Sequence, residues 1–391
     1  MNSKLSKESL KIVFIVTTVD GYGADKSMMY NVVELKKRGK IDPIVVIPRP
    51  GLIEEDLRKE NIKYYICSYK SWTKGYKLNT ISFLKPALKK ANNYFAALSV
   101  FLIHLRRQRI QFVHTNTFTT DFGLMLSKFL KAKHIMHIRE IPYEQFNFDF
   151  EYPEDKIYNL VAKNSALILC NSKYTYNYFY KKMGSKRLTI VPNPVFKSMQ
   201  NKMPGYRHEG KKIKFIVIGR YEPSKNQYDV LRASKKLVEA NFRNFEVHFF
   251  GTGPLEQDYK TYIRCNLLEN VIFIHPYKKD IFETIAEYDA GIISSRYEAF
   301  GRVTVEFMVN GLPVIGNNTG NTPYLINDGY NGFIYSFNDE TELADKMKKF
   351  LLEDGKTTLR RMSQNAHFSV GQEYSFEQSS ETLYNAYLSC I

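Results

Sequence analysis

Residues 290–308 read AGIISSRYEAFGRVTVEFM. Ala290 to Ile293 is a short apolar run of strand type, Ser294 to Phe300 is a polar loop, and a helix is expected to open near Gly301. A strand that passes through a loop into a helix is the repeating unit of a parallel sheet with crossover helices. The first amides of such a helix have no partner inside it, and its dipole favours negative charge there, so a diphosphate fits. Glu298 stays on the loop and Glu306 falls about one turn inside the helix. Two carboxylates therefore flank the anion site without binding it; what they accept is hydrogen bonds from hydroxyls, as on a sugar. Taken singly, Glu298 reads as a cap and Glu306 as a solvated helix residue.

The same unit recurs on both sides of this stretch. Strands are expected at Lys11 to Thr18, Ile44 to Ile47, Tyr64 to Cys67, Phe112 to Thr115, His134 to Ile138, Leu167 to Cys170 and Leu188 to Val191. A second series comprises Ile213 to Ile218, Glu246 to Phe250, Val271 to Ile274, Ala290 to Ile293 and Pro313 to Gly316. Apolar residues at helical spacing intervene, as in Ser27 to Lys37 and Thr119 to Leu130. Between the series lie Pro192, Asn193, Pro194 and the polar stretch Lys197 to Lys212, which reads as a linker. After Asp339 the pattern is helical to the end. The expected class is α/β, with two doubly wound sheets and a cleft where the carboxyl ends of their strands face each other.

Chemistry belongs on loops that leave strands. After Ile218 come Gly219, Arg220, Tyr221, Glu222, Pro223, Ser224 and Lys225: glycine admits a close backbone approach, and Arg220 and Lys225 bring two cations to phosphate oxygens. Gly251, Thr252, Gly253 and Pro254 follow another strand, but Glu256 fills the third glycine position of a dinucleotide fingerprint, so a tight turn is expected. In the first half, Gly21 to Ser27 forms a glycine loop before a helix. His137 ends a strand, where it can hydrogen-bond a sugar hydroxyl or shuttle a proton, or serve a purely structural role. His114 sits similarly, before Thr115 and Asn116.

Composition narrows the rest. The chain has 391 residues, 44% of them hydrophobic, and a formal charge of +16. That excludes a disordered chain and suggests two or three domains. The charge is uneven: residues 1–205 carry 34 basic and 16 acidic residues, and residues 206–391 carry 22 and 24. Residues 61–120 hold ten basic residues and no acidic one. Cys67, Cys170, Cys265 and Cys390 are too widely spaced for a zinc site or a disulfide framework, which points to reduced thiols in the cytoplasm. The apolar stretch Phe95 to Ile103 is too short to span a bilayer, and the start reads as a buried strand and not as a signal peptide. No Asp-x-Asp follows a strand, so no carboxylate pair for a divalent ion is evident.

Together these motifs resemble the retaining GT-B glycosyltransferases of family 4. The resemblance rests on Glu298-x7-Glu306 with Phe300-Gly301 inside it, on Gly311, Pro313 and Val314, and on Gly219-Arg220 with Lys225. Gly251-Thr252-Gly253-Pro254, Asn193, Gly23-Ala24 with Ser27, and His137-x-Arg139-Glu140 complete it, in family order. It implies an acceptor-side Rossmann-like domain over 1–200, a nucleotide-sugar domain over 201–370 and a helix over 371–391 that packs back on the first. It implies transfer from a nucleotide-sugar, most often a UDP-sugar, with no cofactor and no metal. Arg220 and Lys225 would hold the diphosphate, Glu306 the ribose and Glu298 the hexose, with Gly219, Phe300 and Gly301 close by. Gly23 and His137 would complete the donor site. The sequence departs from the family at Tyr22, at Asn226 where glycine is usual, and at Gly320-Asn321 and Tyr324.

Family members of this kind reach lipid-linked acceptors at the cytoplasmic face of the membrane. The acid-free segment suits that role, with Lys85, Lys89, Lys90, Arg106 and Arg107 interleaved with Trp72, Tyr76, Phe83, Phe95 and Phe101. A solvated helix face over an ordinary core is the plainer alternative. The expected partners are a nucleotide-sugar donor, a glycan or lipid-linked acceptor and an anionic membrane surface. Nucleic acid is not expected, since no recognition module appears. A catalytically silent partner subunit and a nucleotide-sugar 2-epimerase remain as rivals.

Overall fold

The computed structural model describes residues 9–19, 23–74, 84–141, 144, 149–184, 187–197, 212–279 and 281–391. The chain divides into two compact units, Met1–Lys197 with Ser375–Ile391, and Ser198–Tyr374. Residues 198–211, most of the expected linker, lie outside the described residues.

The first unit is built on strands β1 (Leu10–Ile15), β2 (Ile41–Ile47), β3 (Lys63–Ile66), β5 (Phe112–Thr115), β6 (Lys133–Ile138), β8 (Leu167–Cys170) and β9 (Leu188–Ile190). They form one sheet in the order β3-β2-β1-β5-β6-β8-β9, each pair parallel. Two further strands of two residues, β4 (Thr73–Lys74) and β7 (Asp149–Phe150), pair antiparallel beside it. Helices cover both faces, which is why the strands read as continuous apolar runs and not as alternating ones. In β1, Ile12 and Phe14 enter one core with Val45, Phe112 and Ile135, while Val13 and Ile15 enter another with Val46 and Val113. The C-terminal helix, Phe376–Leu388, lies on the Phe14 face and buries Leu383, Tyr384 and Tyr387 there. It is fixed by polar contacts too: Ser379 and Ser380 both donate to Asn31 Oδ1, at 3.2 and 3.0 Å. Helix ends carry their own signals. Ser172 caps the helix Lys173–Met183 through the amide of Thr175 at 3.1 Å, and Gly184 ends it with φ of 56°. Such a cap is worth about 1 kcal/mol.

The second unit has six parallel strands, β10 (Ile213–Ile218), β11 (Phe245–Phe250), β12 (Ile272–His275), β13 (Ala290–Ile293), β14 (Val314–Asn317) and β15 (Gly332–Tyr335). Their order is β12-β11-β10-β13-β14-β15. The strand β15 is not among those read from the sequence; it opens with a glycine, which is depleted in strands, and so leaves a run of only three apolar residues. Its core joins Phe215, Val247, Phe249, Ile292 and Ile315 to the helices Tyr228–Glu239 and Glu340–Leu351 through Leu231 and Met347.

Both sheets reverse direction beside their first strand, between β1 and β5 and between β10 and β13. In open α/β sheets the loops leaving such a switch point diverge, and ligands bind in the crevice they leave.

Candidate functional site

In the second unit, pairing of Phe215 with Ala290 and Ile216 with Gly291 sets β10 beside β13, so the two loops expected to carry chemistry emerge side by side. They are stitched together. The Arg296 amide donates to the Ser224 carbonyl at 2.8 Å, Ser294 Oγ donates to the Lys225 carbonyl at 2.8 Å, and Lys225 Nζ meets Glu298 Oε1 at 2.7 Å. Burial works against the charge of Lys225, but the Glu298 carboxylate more than offsets it, and the ammonium titrates above the ordinary lysine value. Arg220 is different. Its side chain is 71% exposed and its Nε lies 3.3 Å from Glu222. An exposed pair of this kind is worth at most about 1 kcal/mol, so a phosphate group can take over the guanidinium at little cost.

Helix Arg302–Val309 begins where the sequence places it, with Gly301 as its N-cap at φ of 85°. Phe300 is buried against Tyr374, ring centroids 5.7 Å apart. Glu306 is one turn into the helix and takes Arg302 Nε at 2.9 Å. Both carboxylates of the motif thus hold a cation in this structure, Glu298 from the neighbouring loop and Glu306 from its own helix.

Asn317, at the end of β14, and Thr319 and Asn321 just after it tie the Glu298 loop in place, and sequence reasoning did not single out the first two. Asn317 donates to the Ser295 carbonyl at 2.7 Å, and Thr319 Oγ1 donates to the Arg296 carbonyl. The Asn321 amide donates to the Glu298 carbonyl at 2.7 Å and its side chain to the Phe300 carbonyl at 2.7 Å. Their only signal was position at a strand's carboxyl end. One departure from the family has a physical reading. Asn226 has φ of 48°, the left-handed region where asparagine is the best substitute for glycine, and its side chain binds Asp229 at 2.7 Å. Gly251 and Gly253 serve packing: a Cβ on either would come within 2.0 and 2.4 Å of the Gly219 and Tyr221 carbonyl oxygens.

In the first unit Gly23 opens the helix Gly23–Lys37 with φ of 47°; Gly21 and Tyr22 lie outside the described residues. At the carboxyl ends of β5 and β6 sits a buried polar network. Arg139 donates from Nε to Asn116 Oδ1 at 2.7 Å and from Nη1 to Asn193 Oδ1, so the asparagine of the Pro-Asn-Pro stretch anchors the guanidinium. Burial lowers Arg139 to about 10, which leaves it cationic at neutral pH. His137 is fully buried. Burial, then the charge of Arg139, then His114 hold its pKa well below the usual histidine value, so it is neutral. Glu140 accepts from the Phe118 amide at 2.7 Å, and burial pushes its carboxyl up to about 7.

The basic segment divides. Trp72, expected at an interface, is instead buried, its indole N–H donating to the Phe118 carbonyl at 2.8 Å. Apolar bulk around β4 and β7 claims it before solvent can. Lys89 pairs with Glu151, and Phe101 is half-buried against Phe129. Lys90, Arg106 and Arg107 are exposed, alongside exposed Leu88, Phe95, Leu102 and Ile103 on helix Leu84–Val100 and the π-helical turn Phe101–Leu105. Tyr76, Phe83 and the Lys85 side chain lie outside the described residues. Among the described residues, no helix is long and apolar enough to cross a membrane, and no group of three or more His, Cys, Asp or Glu is placed to hold a metal ion.

Comparison with known proteins matches residues 23–196 to the model "Glycosyltransferase Family 4" and residues 198–367 to "Glycosyl transferases group 1". An uncharacterized glycosyltransferase of Methanocaldococcus jannaschii is 24% identical over 78% of this chain and 87% of its own length. The UDP-Gal:alpha-D-GlcNAc-diphosphoundecaprenol alpha-1,3-galactosyltransferase of Escherichia coli is 20% identical over 73% and 77%. Among solved structures, Anabaena HepE in complex with UDP superposes with a TM-score of 0.74 at 18% identity, over 98% of this chain and 100% of that one. With two parallel α/β units of this topology and family models matching both halves, the chain belongs to the group 1 glycosyltransferases and has the GT-B fold.

Proposed function

We propose that this enzyme moves a hexose from a UDP-sugar, with retention of configuration and without a bound metal, to a glycan or lipid-linked acceptor in surface polysaccharide assembly. One observation carries the reading: Lys225 and Glu298, from adjacent strand-end loops at a topological switch point, meet at 2.7 Å. The carboxylate keeps the ammonium charged before the donor arrives, and the exposed Arg220 adds a second cation. Arg220 and Lys225 hold the diphosphate and offset the charge that develops on it as the glycosidic bond breaks, work a divalent ion would otherwise do. Gly219 and the amides at Phe300 and Gly301 pack against phosphate and sugar. Glu298 accepts from a hexose hydroxyl and Glu306 from the ribose. In the first unit, Gly23 allows close approach and His137 hydrogen-bonds the sugar. As the bond from C1 to the phosphate oxygen breaks, the acceptor oxygen attacks C1 from the same face, and its proton passes to the departing phosphate. No protein nucleophile is invoked.

The choice of UDP is supported by the UDP bound to HepE and by the UDP-galactose named for the E. coli relative. That relative's diphosphoundecaprenol acceptor supports a membrane-bound acceptor here. The exposed cations and apolar residues of helix Leu84–Val100 and its π-helical extension support peripheral docking on the cytoplasmic face of an anionic membrane. The test is a panel of UDP-, GDP- and ADP-sugars with a chelator present, read by thermal stabilisation and slow donor hydrolysis. Stabilisation by a UDP-sugar, lost in Arg220→Ala and in Glu306→Ala, is the expected result. Stabilisation by none of them, or donor affinity unchanged in the variants, refutes the assignment.

A further inference from the structure

A chain of buried side chains runs from the C-terminal helix to His137. Tyr387 Oη lies 2.7 Å from His114 Nδ1, His114 Nε2 lies 3.2 Å from His137 Nδ1, and Arg139 Nη2 lies 3.3 Å from the same Nδ1. The sheet register explains the alignment. His114 is level with Ile135, so His137 follows it on the same face of the sheet, one step nearer the carboxyl edge. That is the face covered by helix Phe376–Leu388. Phe14 and Phe112 complete the wall, with ring centroids 5.1 Å from His114 and 5.3 Å from Tyr387.

Proton positions follow from elimination. A guanidinium can only donate, so His137 Nδ1, facing Arg139, is an acceptor, and the ring's proton is on Nε2. His114 must then donate from Nε2 to that same Nδ1, which leaves its own Nδ1 bare to accept the Tyr387 hydroxyl proton. Among the arrangements with both rings neutral, only this one gives the Tyr387 hydroxyl, the His114 Nε2–H and the Arg139 Nη2–H each an acceptor. A second proton on either ring would set a cation against Arg139 in a site from which water is excluded. The chain ends at His137 Nε2, which is buried and makes no hydrogen bond of ordinary geometry, although the Val191 backbone lies close enough to the ring to act on its titration.

We infer that Tyr387 and His114 are positioning residues that hold His137 as the neutral Nε2–H tautomer, so that it offers a hydrogen-bond donor to a substrate oxygen and does not shuttle protons. This deepens the proposed function and rests on its assignment of His137 to the sugar. It also gives the C-terminal helix a part in the chemistry: the residue that orients His137 lies 250 positions further along the chain.

The experiment is long-range proton–nitrogen NMR of histidine-labelled enzyme without donor, on wild type and Tyr387→Phe, followed by donor kinetics on both. In wild type, both rings should show a protonated Nε2 and a bare Nδ1, unchanged across neutral pH. A protonated Nδ1 on His137, or titration of either ring near neutrality, overturns the inference. In Tyr387→Phe, a far-UV spectrum like wild type with His114 and His137 exchanging between tautomers is expected. With it should come a fall of roughly tenfold in kcat/KM for the donor, the range for an unsatisfied buried group. Unaltered His137 nitrogen shifts in that variant overturn it equally. Because the tautomers are read without donor, their failure leaves glycosyl transfer standing, whereas a wild type that accepts no nucleotide-sugar refutes the functional assignment instead.

Discussion

Replacing Gly320 by alanine tests whether the loop after β14 sets the position of Glu298. Gly320 has φ of 59°, and a Cβ there would fall 2.7 Å from both the backbone nitrogen and the backbone oxygen of Glu298. Two costs add. Holding alanine in the left-handed region costs about 1 kcal/mol. Backbone atoms cannot swing aside as a side-chain tip can, so relieving the overlap costs a further 1–3 kcal/mol, approximately. Gly329 supplies the control, since it has φ of 78° and nothing within 4 Å of the added atom, so Gly329→Ala bears the conformational cost alone. The difference between the two variants isolates the contact with Glu298. The chain's single tryptophan, Trp72, reports on the first unit, so hydrogen exchange in β13 and β14 is the suitable assay. Gly320→Ala should accelerate exchange there by one to two further orders of magnitude, roughly, and weaken donor binding. Equal exchange in the two variants would show that the loop yields without strain and that Glu298 is placed by other contacts.

Two more outcomes follow from burial and charge. Glu140 titrates in the folded protein at about 7 against 4.5 for a free glutamate, so its contribution to stability is complete below pH 4.5 and is lost as pH rises through 7. The difference is worth about 3 kcal/mol, and Glu140→Gln should remove that part of the pH dependence. Trp72 is the probe, since it donates to the carbonyl of Phe118, whose amide Glu140 binds; parallel pH curves for the two proteins would contradict the reading. On anionic vesicles, changing Lys90, Arg106 and Arg107 to glutamine should cost about 1 kcal/mol each, near a hundredfold loss of binding in all. Sedimentation indifferent to all three changes would sink membrane docking through this face.

What the sequence disclosed was local. β5, β8, β10 and β13 lie at the residues their β-branched and apolar runs predict, because a strand covered on both faces is rich in such residues. Gly301 and the helix after it were legible for the same reason. Contacts made between loops were not. Nothing in Asn317, Thr319 or Asn321 announces that they brace the Glu298 loop, since each is an ordinary polar residue until β13 and β14 pair. Trp72 went astray for the opposite reason: its cationic neighbours suggested an interface, while the residues that bury it, among them Phe118 and Phe150, lie far along the chain. The link from Tyr387 to His114 was illegible in principle, because helical spacing marks which face of a helix is buried but not which strand it meets.

The two units share a strand order and use the polar groups at their switch points in opposite ways. In the first, Arg139 is enclosed and satisfied by two asparagine oxygens, and both histidines beside it are neutral. Rearranging such a network exposes unpaired buried groups at about 1–3 kcal/mol each, so it holds its geometry. In the second, Arg220 keeps 71% of its side chain exposed and Lys225 keeps 30%, so both cations can be reached from solvent, and the Arg220 pair costs little to exchange. A phosphate can displace a carboxylate from a solvent-exposed cation such as Arg220; it cannot displace Asn193 from Arg139 without first opening the core. Under the proposed function, diphosphate capture therefore falls to the second unit, and fixed presentation of a neutral donor group to the first.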